Sequence, residues 1–309
     1  MDETPEEPRK HELLPIVLMG GFFIIINGLA LLLTSTFQSA GLKVFQNTND
    51  PWNLVVLFVM ILGVTVVILL IARFWKKQLI QVIILFAVGY TAFYLFLPLF
   101  SLVLSSDWMI IFLSVLFAVI LVAVLVRYPE WYVIDLSGII IGTGAVALFG
   151  ISLSILLVII FLIGLAVYDA ISVYKTKHMI DLADTVMDLK LPVLLVIPKI
   201  RRYSLIKETK RLKEQIKAGE ERDAFFMGLG DVVMPGILVA SVYTNIPNGL
   251  WVAFSVIVGT LVGFTVLMTF VVKGKPQAGL PLLCSGAILG YVISSYAFFG
   301  TLVGLGPLF

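Results

Sequence analysis

Three carboxyl groups lie inside long apolar stretches of the chain, where a charge is costly. The chain has 19 Asp and Glu residues, and all but Asp135, Asp169 and Asp231 fall in polar or boundary regions. An ionisable side chain within a membrane segment is a functional hypothesis by default. No Lys, Arg or His lies in the interior of these stretches, so we expect at least one acid to stay protonated or two to share a proton. Asp135 follows Trp131 closely, and we expect it to reach the membrane surface or bond to its own first helical turn.

Asp169 and Asp231 are predicted to lie at matching depth on two neighbouring antiparallel spans. Asp169 comes six residues before Lys175, which is about 9 Å along a helix. Asp231 comes eight residues after Asp223, which is about 12 Å from the same membrane face. Matching depth would let the two carboxyl groups meet.

Two carboxyl groups held close in a low-dielectric site cannot both ionise, so one becomes an acid and the other a base. Such a pair can hydrolyse a peptide bond: one group takes a proton from water, and the other donates one to the carbonyl oxygen. The pair titrates as a unit, and no covalent intermediate is needed. The sequence lacks a His-Glu-x-x-His helix, which excludes a zinc metalloprotease, and it has no histidine within the membrane segments, which excludes a serine protease. We therefore expect neither a metal nor a cofactor.

The elements that position these acids are membrane helices. Of the 309 residues, 60% are hydrophobic and 13% charged, whereas soluble domains have about 25% charged residues. A spanning helix needs roughly 20 apolar residues. About nine segments qualify, which predicts an all-α polytopic membrane protein: Leu13–Thr36, Trp52–Ala72, Gln78–Leu104, Trp108–Val126, Trp131–Gly150, Ile151–Tyr174, Ala224–Tyr243, Gly249–Val272 and Gly279–Phe299.

The distribution of Lys and Arg predicts the orientation. All of these cations except Lys43 fall in the tail and the even-numbered loops, so the positive-inside rule places the N-terminus in the cytoplasm and, with nine spans, the C-terminus outside. The bundle is split six plus three by a cytoplasmic loop. The predicted regions are the tail 1–12, spans one to six in 13–174, the loop 175–223 and spans seven to nine in 224–309.

The loop 175–223 has internal structure of its own. Met179, Ala183 and Met187 share one helical face, which favours a short amphipathic helix on the membrane surface. The apolar segment Leu191–Pro198 is bracketed by prolines and is typical of an extended strand whose edge could pair with another strand. The rest of the loop, Lys199–Arg222, is expected to be a cytoplasmic linker, and its charge follows the positive-inside bias, so no nucleic-acid binding is expected.

The residues around the two acids form a pair of motifs. Asp231 ends Gly228-Leu229-Gly230-Asp231, and Asp169 follows Tyr168. Glycines beside an acid weaken the helix and let a substrate backbone approach. Together the two motifs resemble those of the presenilin and signal-peptide-peptidase family of intramembrane aspartyl proteases, and their order, spacing and topology are similar across nearly the whole chain. The brief tail and short loop are more similar to archaeal or bacterial presenilin homologues than to animal presenilins.

That family has a third motif, Pro-Ala-Leu, at the start of the ninth span. Here Ala278-Gly279-Leu280-Pro281 stands in its place. Ala278 and Gly279 replace the proline and alanine of the motif, whereas Leu280 and the proline that follows it, Pro281, match the presenilin pattern. The resemblance implies that this segment flanks the catalytic pair Asp169 and Asp231 and helps to bind substrate, as do Tyr168 and Gly228 to Gly230. It also implies that Leu191–Pro198, or the chain just before Gly228, pairs with an unwound substrate as an added strand.

The resemblance implies an intramembrane endopeptidase that cleaves transmembrane segments of membrane proteins within the lipid bilayer. Nothing in the sequence requires accessory subunits, and the oligomeric state is open. The alternative from another class is a proton-coupled transporter or cation leak channel, since paired membrane carboxyls also serve as ion relays. A transporter would predict an inverted repeat, which acids confined to the two sides of one loop do not suggest. A scaffold without catalysis offers no reason to bury two acids.

Overall fold

The computed structural model describes residues 10–74, 77–176, 194–199, 224–272 and 277–305. This part of the chain contains nine α-helices, which confirms the all-α polytopic fold. The helices are α1 (Lys10–Ser39), α2 (Trp52–Phe74), α3 (Lys77–Ser101), α4 (Asp107–Arg127), α5 (Trp131–Ser152), α6 (Ile155–Ile171), α7 (Leu229–Asn245), α8 (Leu250–Val272) and α9 (Gly279–Phe299).

Most of these helices are built to cross a membrane. Seven of them, all but α2 and α7, are long and apolar enough to span a bilayer. Helices α2 and α7 contain shorter apolar stretches, Trp52–Ile68 and Leu229–Asn245. Helix α7 is buried on nearly all sides, which is expected of a hydrophobic helix at the centre of a bundle.

Helices α5 and α6 separate at Leu153 and Ser154, three residues later than the predicted boundary between Gly150 and Ile151. The backbone groups freed by this break are bonded elsewhere: the Ser154 N–H donates to the Thr48 carbonyl at 3.0 Å, and the Ser241 hydroxyl donates to the Leu153 carbonyl at 2.8 Å. Gly150 lies instead inside α5, where a Cβ would collide with Ala240 of α7. It marks a close helix crossing and not a chain break.

A two-stranded ribbon interrupts the helical bundle. Strand β1 (Leu194–Pro198) confirms the extended structure predicted for that part of Leu191–Pro198, and it pairs antiparallel with β2 (Ala224–Gly228). The prediction that a helix begins at Ala224 is wrong, because this strand precedes α7. A strand advances about 3.3 Å per residue, so the helical depth predicted for Asp231 does not hold, and Asp231 lies in the first turn of α7.

Several predicted features lie outside the described residues. They are the first nine residues of the tail, the surface helix around Met179 to Met187, residues 191–193 of the predicted strand and the linker after Lys199.

Helices α8 and α9 pack closely against each other through a row of glycines. A Cβ on Gly259 would collide with the Gly286 carbonyl, and a Cβ on Gly286 would collide with the Gly259 carbonyl. Gly263 and Gly290 similarly meet backbone atoms of the facing helix. Small residues at membrane helix interfaces permit such backbone contact. This packing fixes the position of α9, whose first turn belongs to the site described below.

Adding a methyl group at this crossing tests the packing. We expect Gly286→Ala to lower the free energy of unfolding by roughly 1–3 kcal/mol, because a rigid backbone must move to admit it. Thermal unfolding in detergent, followed by circular dichroism, measures the change. Gly63→Ala is the matched control, since nothing lies within 4 Å of a Cβ at Gly63, and it should leave the unfolding temperature unchanged or slightly higher. Equal behaviour of the two variants would contradict the close crossing.

Candidate active site

Asp169 lies near the end of α6, where the helix changes form. The α-helix ends at Ile171 and continues as a π-helical turn over Ser172–Thr176, a feature often found at functional sites. The Asp169 carboxyl group is partly buried, whereas the neighbouring Tyr168 side chain is 48% exposed. The apolar residues that precede Asp169 in α6 pack into the core of the bundle, so the acid is held by a rigid element.

Asp231 lies where β2 passes into α7. Gly228 has extended backbone angles (φ −62°, ψ 132°) and caps the helix, and Asp231 is the third helical residue. The Gly228 N–H donates to the Asp231 carboxylate. This is the arrangement in which an acid at the third position of a helix reaches back to the capping residue. Asp231 therefore stabilises the helix start that presents it.

The two glycines of this motif have different surroundings. Gly230 is exposed, and nothing lies within 4 Å of a Cβ built on it. A Cβ on Gly228 would lie 3.4 Å from Oδ2 of Asp231. Between them, Leu229 is buried and points towards Gly138 and Gly142 of α5. The motif thus anchors itself through Leu229 and leaves open space beside Gly230.

Both carboxyl groups meet the first turn of α9. Asp169 Oδ2 accepts a hydrogen bond from the backbone N–H of Leu280 at 3.1 Å, and the Gly279 N–H also donates to the Asp169 carboxyl group. A Cβ on Gly279 would lie 3.3 Å from Oδ2 of Asp231. The free N–H groups at a helix N-terminus favour an anion. Asp169 and Asp231 therefore flank the same residue, Gly279, and interact electrostatically with each other.

The remaining residues of the α9 segment support this turn. Ala278 is buried and caps the helix, while Leu280 and Pro281 are partly buried. A proline suits the first turn of a helix, because the N–H that it lacks has no partner within the helix. The structure thus brings Asp169, Asp231 and the predicted flanking segment to one place.

Three residues at or near the site were not predicted to belong there. Cys284, one turn beyond Leu280, is buried near both acids. The Tyr174 hydroxyl donates to Oε1 of Gln277 at 2.9 Å, which joins the end of α6 to the segment before α9. A cysteine one helical turn from Leu280 is the only sequence signal that could have indicated any of these contacts.

The environment predicted for Asp135 is wrong. Its side chain is neither exposed nor bonded to its own helix start. It is 5% exposed, and its Oδ1 accepts the backbone N–H of Val196 in β1 at 2.8 Å. The strand supplies a donor that the bilayer cannot supply. The sequence signal for this contact is an acid within an apolar stretch together with a predicted strand whose edge lacks a partner.

The arrangement suits proton transfer between two acids. Two carboxyl groups flank a helix N-terminus, with backbone N–H groups to hold them and open space beside Gly230. Within the described ranges, no three His, Cys, Asp or Glu side chains come together to hold a metal ion. A water between two such carboxyl groups could be activated for attack on a carbonyl carbon.

Known proteins are similar to this chain in sequence and fold. Residues 20–300 match the family model described as signal-peptide peptidase, presenilin aspartyl protease. Two solved structures of a presenilin family intramembrane aspartate protease, in space groups C222 and P2, are similar to this chain at 33% and 35% identity. They match 91% and 92% of this chain and 98% of theirs, with TM-scores of 0.64 and 0.68. No curated protein matches the chain.

The burial of Cys284 allows a direct check of the site's packing. We expect this cysteine, the single one in the chain, to resist N-ethylmaleimide in the folded protein, because its side chain is 1% exposed. Labelling measured by intact-protein mass spectrometry should appear only after denaturation. Val103→Cys in a Cys284→Ser background is the control, since Val103 is 83% exposed and should react at once. Fast labelling of native Cys284 would show that the site is open where the structure has it closed.

Proposed function

The chain belongs to the signal-peptide-peptidase and presenilin family of intramembrane aspartyl proteases, and we propose that Asp169 and Asp231 are its catalytic residues. The family and its solved relatives make the protein an aspartic endopeptidase of the membrane. The observation that carries the assignment to these two acids is their convergence on Gly279 and Leu280.

In the proposed reaction, one carboxylate removes a proton from water while the other, protonated, donates to the carbonyl oxygen of the substrate. The water oxygen bonds to the carbonyl carbon and gives a gem-diol intermediate. The acid that took the water proton then gives it to the nitrogen as the C–N bond breaks, and the other carboxylate takes back a proton from a gem-diol hydroxyl. The N–H groups of Gly279 and Leu280 orient Asp169, and that of Gly228 orients Asp231. Both acids are thereby held before substrate arrives, which lowers the cost of alignment.

The proposed substrates are transmembrane segments of other membrane proteins. A membrane helix has all its backbone groups bonded internally, so a peptide bond becomes accessible only where the helix unwinds. The open space beside Gly230 fits an approaching backbone. We also propose that the N-terminus lies in the cytoplasm, which places the ribbon and the acid pair near the cytoplasmic face.

The ribbon offers one edge for an unwound substrate. Because the Val196 N–H donates to Asp135, it points away from β2, and Val196 and its partner Phe226 form a pair without mutual hydrogen bonds. The backbone groups of Phe226 therefore point to the outer edge of β2. Gly228, two residues on, shares this direction, which agrees with its bond to Asp231. We propose that a substrate strand adds to this edge, beside the acids.

Replacing either acid by its amide should abolish proteolysis. We expect Asp169→Asn and Asp231→Asn each to lower cleavage of a tagged single-span substrate by about 100-fold or more, because an amide can neither take nor give the proton. Fragments from purified protein in liposomes are read by mass spectrometry. Cleavage retained in either variant would remove that acid from the pair. If no version cleaves but the wild type alone conducts protons, the transporter alternative replaces the protease.

Blocking the edge of β2 should prevent productive binding. Phe226→Pro removes the outward N–H without touching a bond to β1, so we expect kcat/KM to fall about tenfold or more, chiefly through a higher KM. Phe226→Ala is the matched control, because it loses the same ring and keeps the N–H. Initial rates over a range of substrate concentrations separate the two parameters. If the proline and alanine variants have equal KM, substrate does not pair with this edge.

A further inference from the structure

Strand β1 has an outer edge as well, and this edge carries few free donors. Along an antiparallel strand, residues whose backbone groups point towards the partner alternate with residues whose backbone groups point away from it. Because Val196 points away from β2, Leu194 and Pro198, two residues on either side, do so as well. Pro198 has no N–H, and the N–H of Val196 is taken by Asp135. Of the three outward residues of β1, only Leu194 has an N–H without an assigned role.

The two strands also differ in burial. The central residues of β1, Leu195 to Ile197, are buried, whereas Phe225, Phe226 and Gly228 of β2 are partly exposed. An unbonded N–H in an apolar setting is costly, and an open strand edge invites wrong pairing. A buried carboxylate that accepts such an N–H removes both problems.

Helix α5 is shaped to receive β1 on the face that carries Asp135. Gly138 and Gly142 follow Asp135 at helical spacings of three and seven, so the three residues form one stripe. A Cβ on Gly138 would lie 2.9 Å from the Leu195 side chain, and one on Gly142 would lie 3.2 Å from Leu229. The stripe therefore contacts β1 and the residue between the two glycines of the Asp231 motif.

From this juxtaposition we infer that Asp135 is a positioning residue for proteolysis. By accepting the Val196 N–H, it closes the outer edge of β1, fixes the ribbon against α5 and leaves the edge of β2 as the one on which a substrate strand is aligned with the acids. Asp135 acts through the ribbon and does not touch the reacting bond. The inference rests on the proposed function for its consequence, but the contact itself can be tested separately.

The variants that test this role separate hydrogen bonding from charge. Asp135→Asn keeps an oxygen that accepts the Val196 N–H, whereas Asp135→Leu has a similar shape and no acceptor. Asp135→Ala, which also lacks an acceptor, replaces the leucine variant if that protein does not fold. Ser137→Ala is the control on the same helix, because the Ser137 hydroxyl bonds only within α5, to the Val133 carbonyl.

The first measurement does not depend on activity. Hydrogen exchange of the full-length protein, followed in peptides that cover 194–199, reports the Val196 amide. We expect exchange at Val196 to speed up at least tenfold in Asp135→Leu and to stay near the wild-type rate in Asp135→Asn and Ser137→Ala. Wild-type protection in the leucine or alanine variant would overturn the proposed contact.

The second measurement reads where the substrate is cut. A loosened ribbon should lower kcat/KM about tenfold and spread cleavage over neighbouring peptide bonds, whereas a general loss of folded protein would lower the rate without changing the ratio of fragments. Asp135→Asn should retain the wild-type ratio. Equal loss in the asparagine and leucine variants would overturn the inference and point to Asp135 as a proton-transfer group. Failure of the wild type to cleave would refute the proposed function while the exchange result still tests the contact.

Discussion

A carboxyl group inside a membrane protein needs hydrogen-bond donors, and this constraint shapes the centre of the bundle. The span interiors contain no Lys, Arg or His. Backbone N–H groups therefore serve all three acids: Leu280 and Gly279 for Asp169, Gly228 for Asp231 and Val196 for Asp135. An α-helix bonds its own N–H groups except in its first turn. The donors therefore come from a helix start, a helix cap and a strand edge.

Irregular backbone at this depth is the physical requirement for such donors. Within a bilayer it is tolerated only where protein or a water-filled cavity surrounds it. Here the ribbon is packed against α5, and α7 is surrounded by other helices. The ribbon interrupts the helices, so it frees N–H groups for the acids and also leaves the edge of β2 near them. Holding the acids and receiving an extended substrate are thus two consequences of one interruption in the helical structure.

Local patterns in the sequence predict much of this arrangement. Apolar length predicts the spans, and the motifs around Asp169 and Asp231 predict the pair. Apolar length alone places Ala224–Gly228 in a span, because Ala-Phe-Phe-Met is as apolar as a span, and only its pairing with Leu194–Pro198 makes it extended. The contact of Asp135 with Val196 joins residues 61 positions apart, which no local spacing encodes. Non-local backbone pairing is what the sequence pattern leaves out.

The most direct test of the central claim is a structure of the protein bound to a transmembrane peptide whose scissile amide is replaced by a hydroxyl-bearing isostere. Such a group imitates the tetrahedral intermediate and should bind tightly to a site complementary to it. The account predicts the hydroxyl within hydrogen-bonding distance of both Asp169 and Asp231, with the flanking residues extended along β2. A hydroxyl that contacts only one of these acids, or a peptide that stays helical beside them, would contradict it.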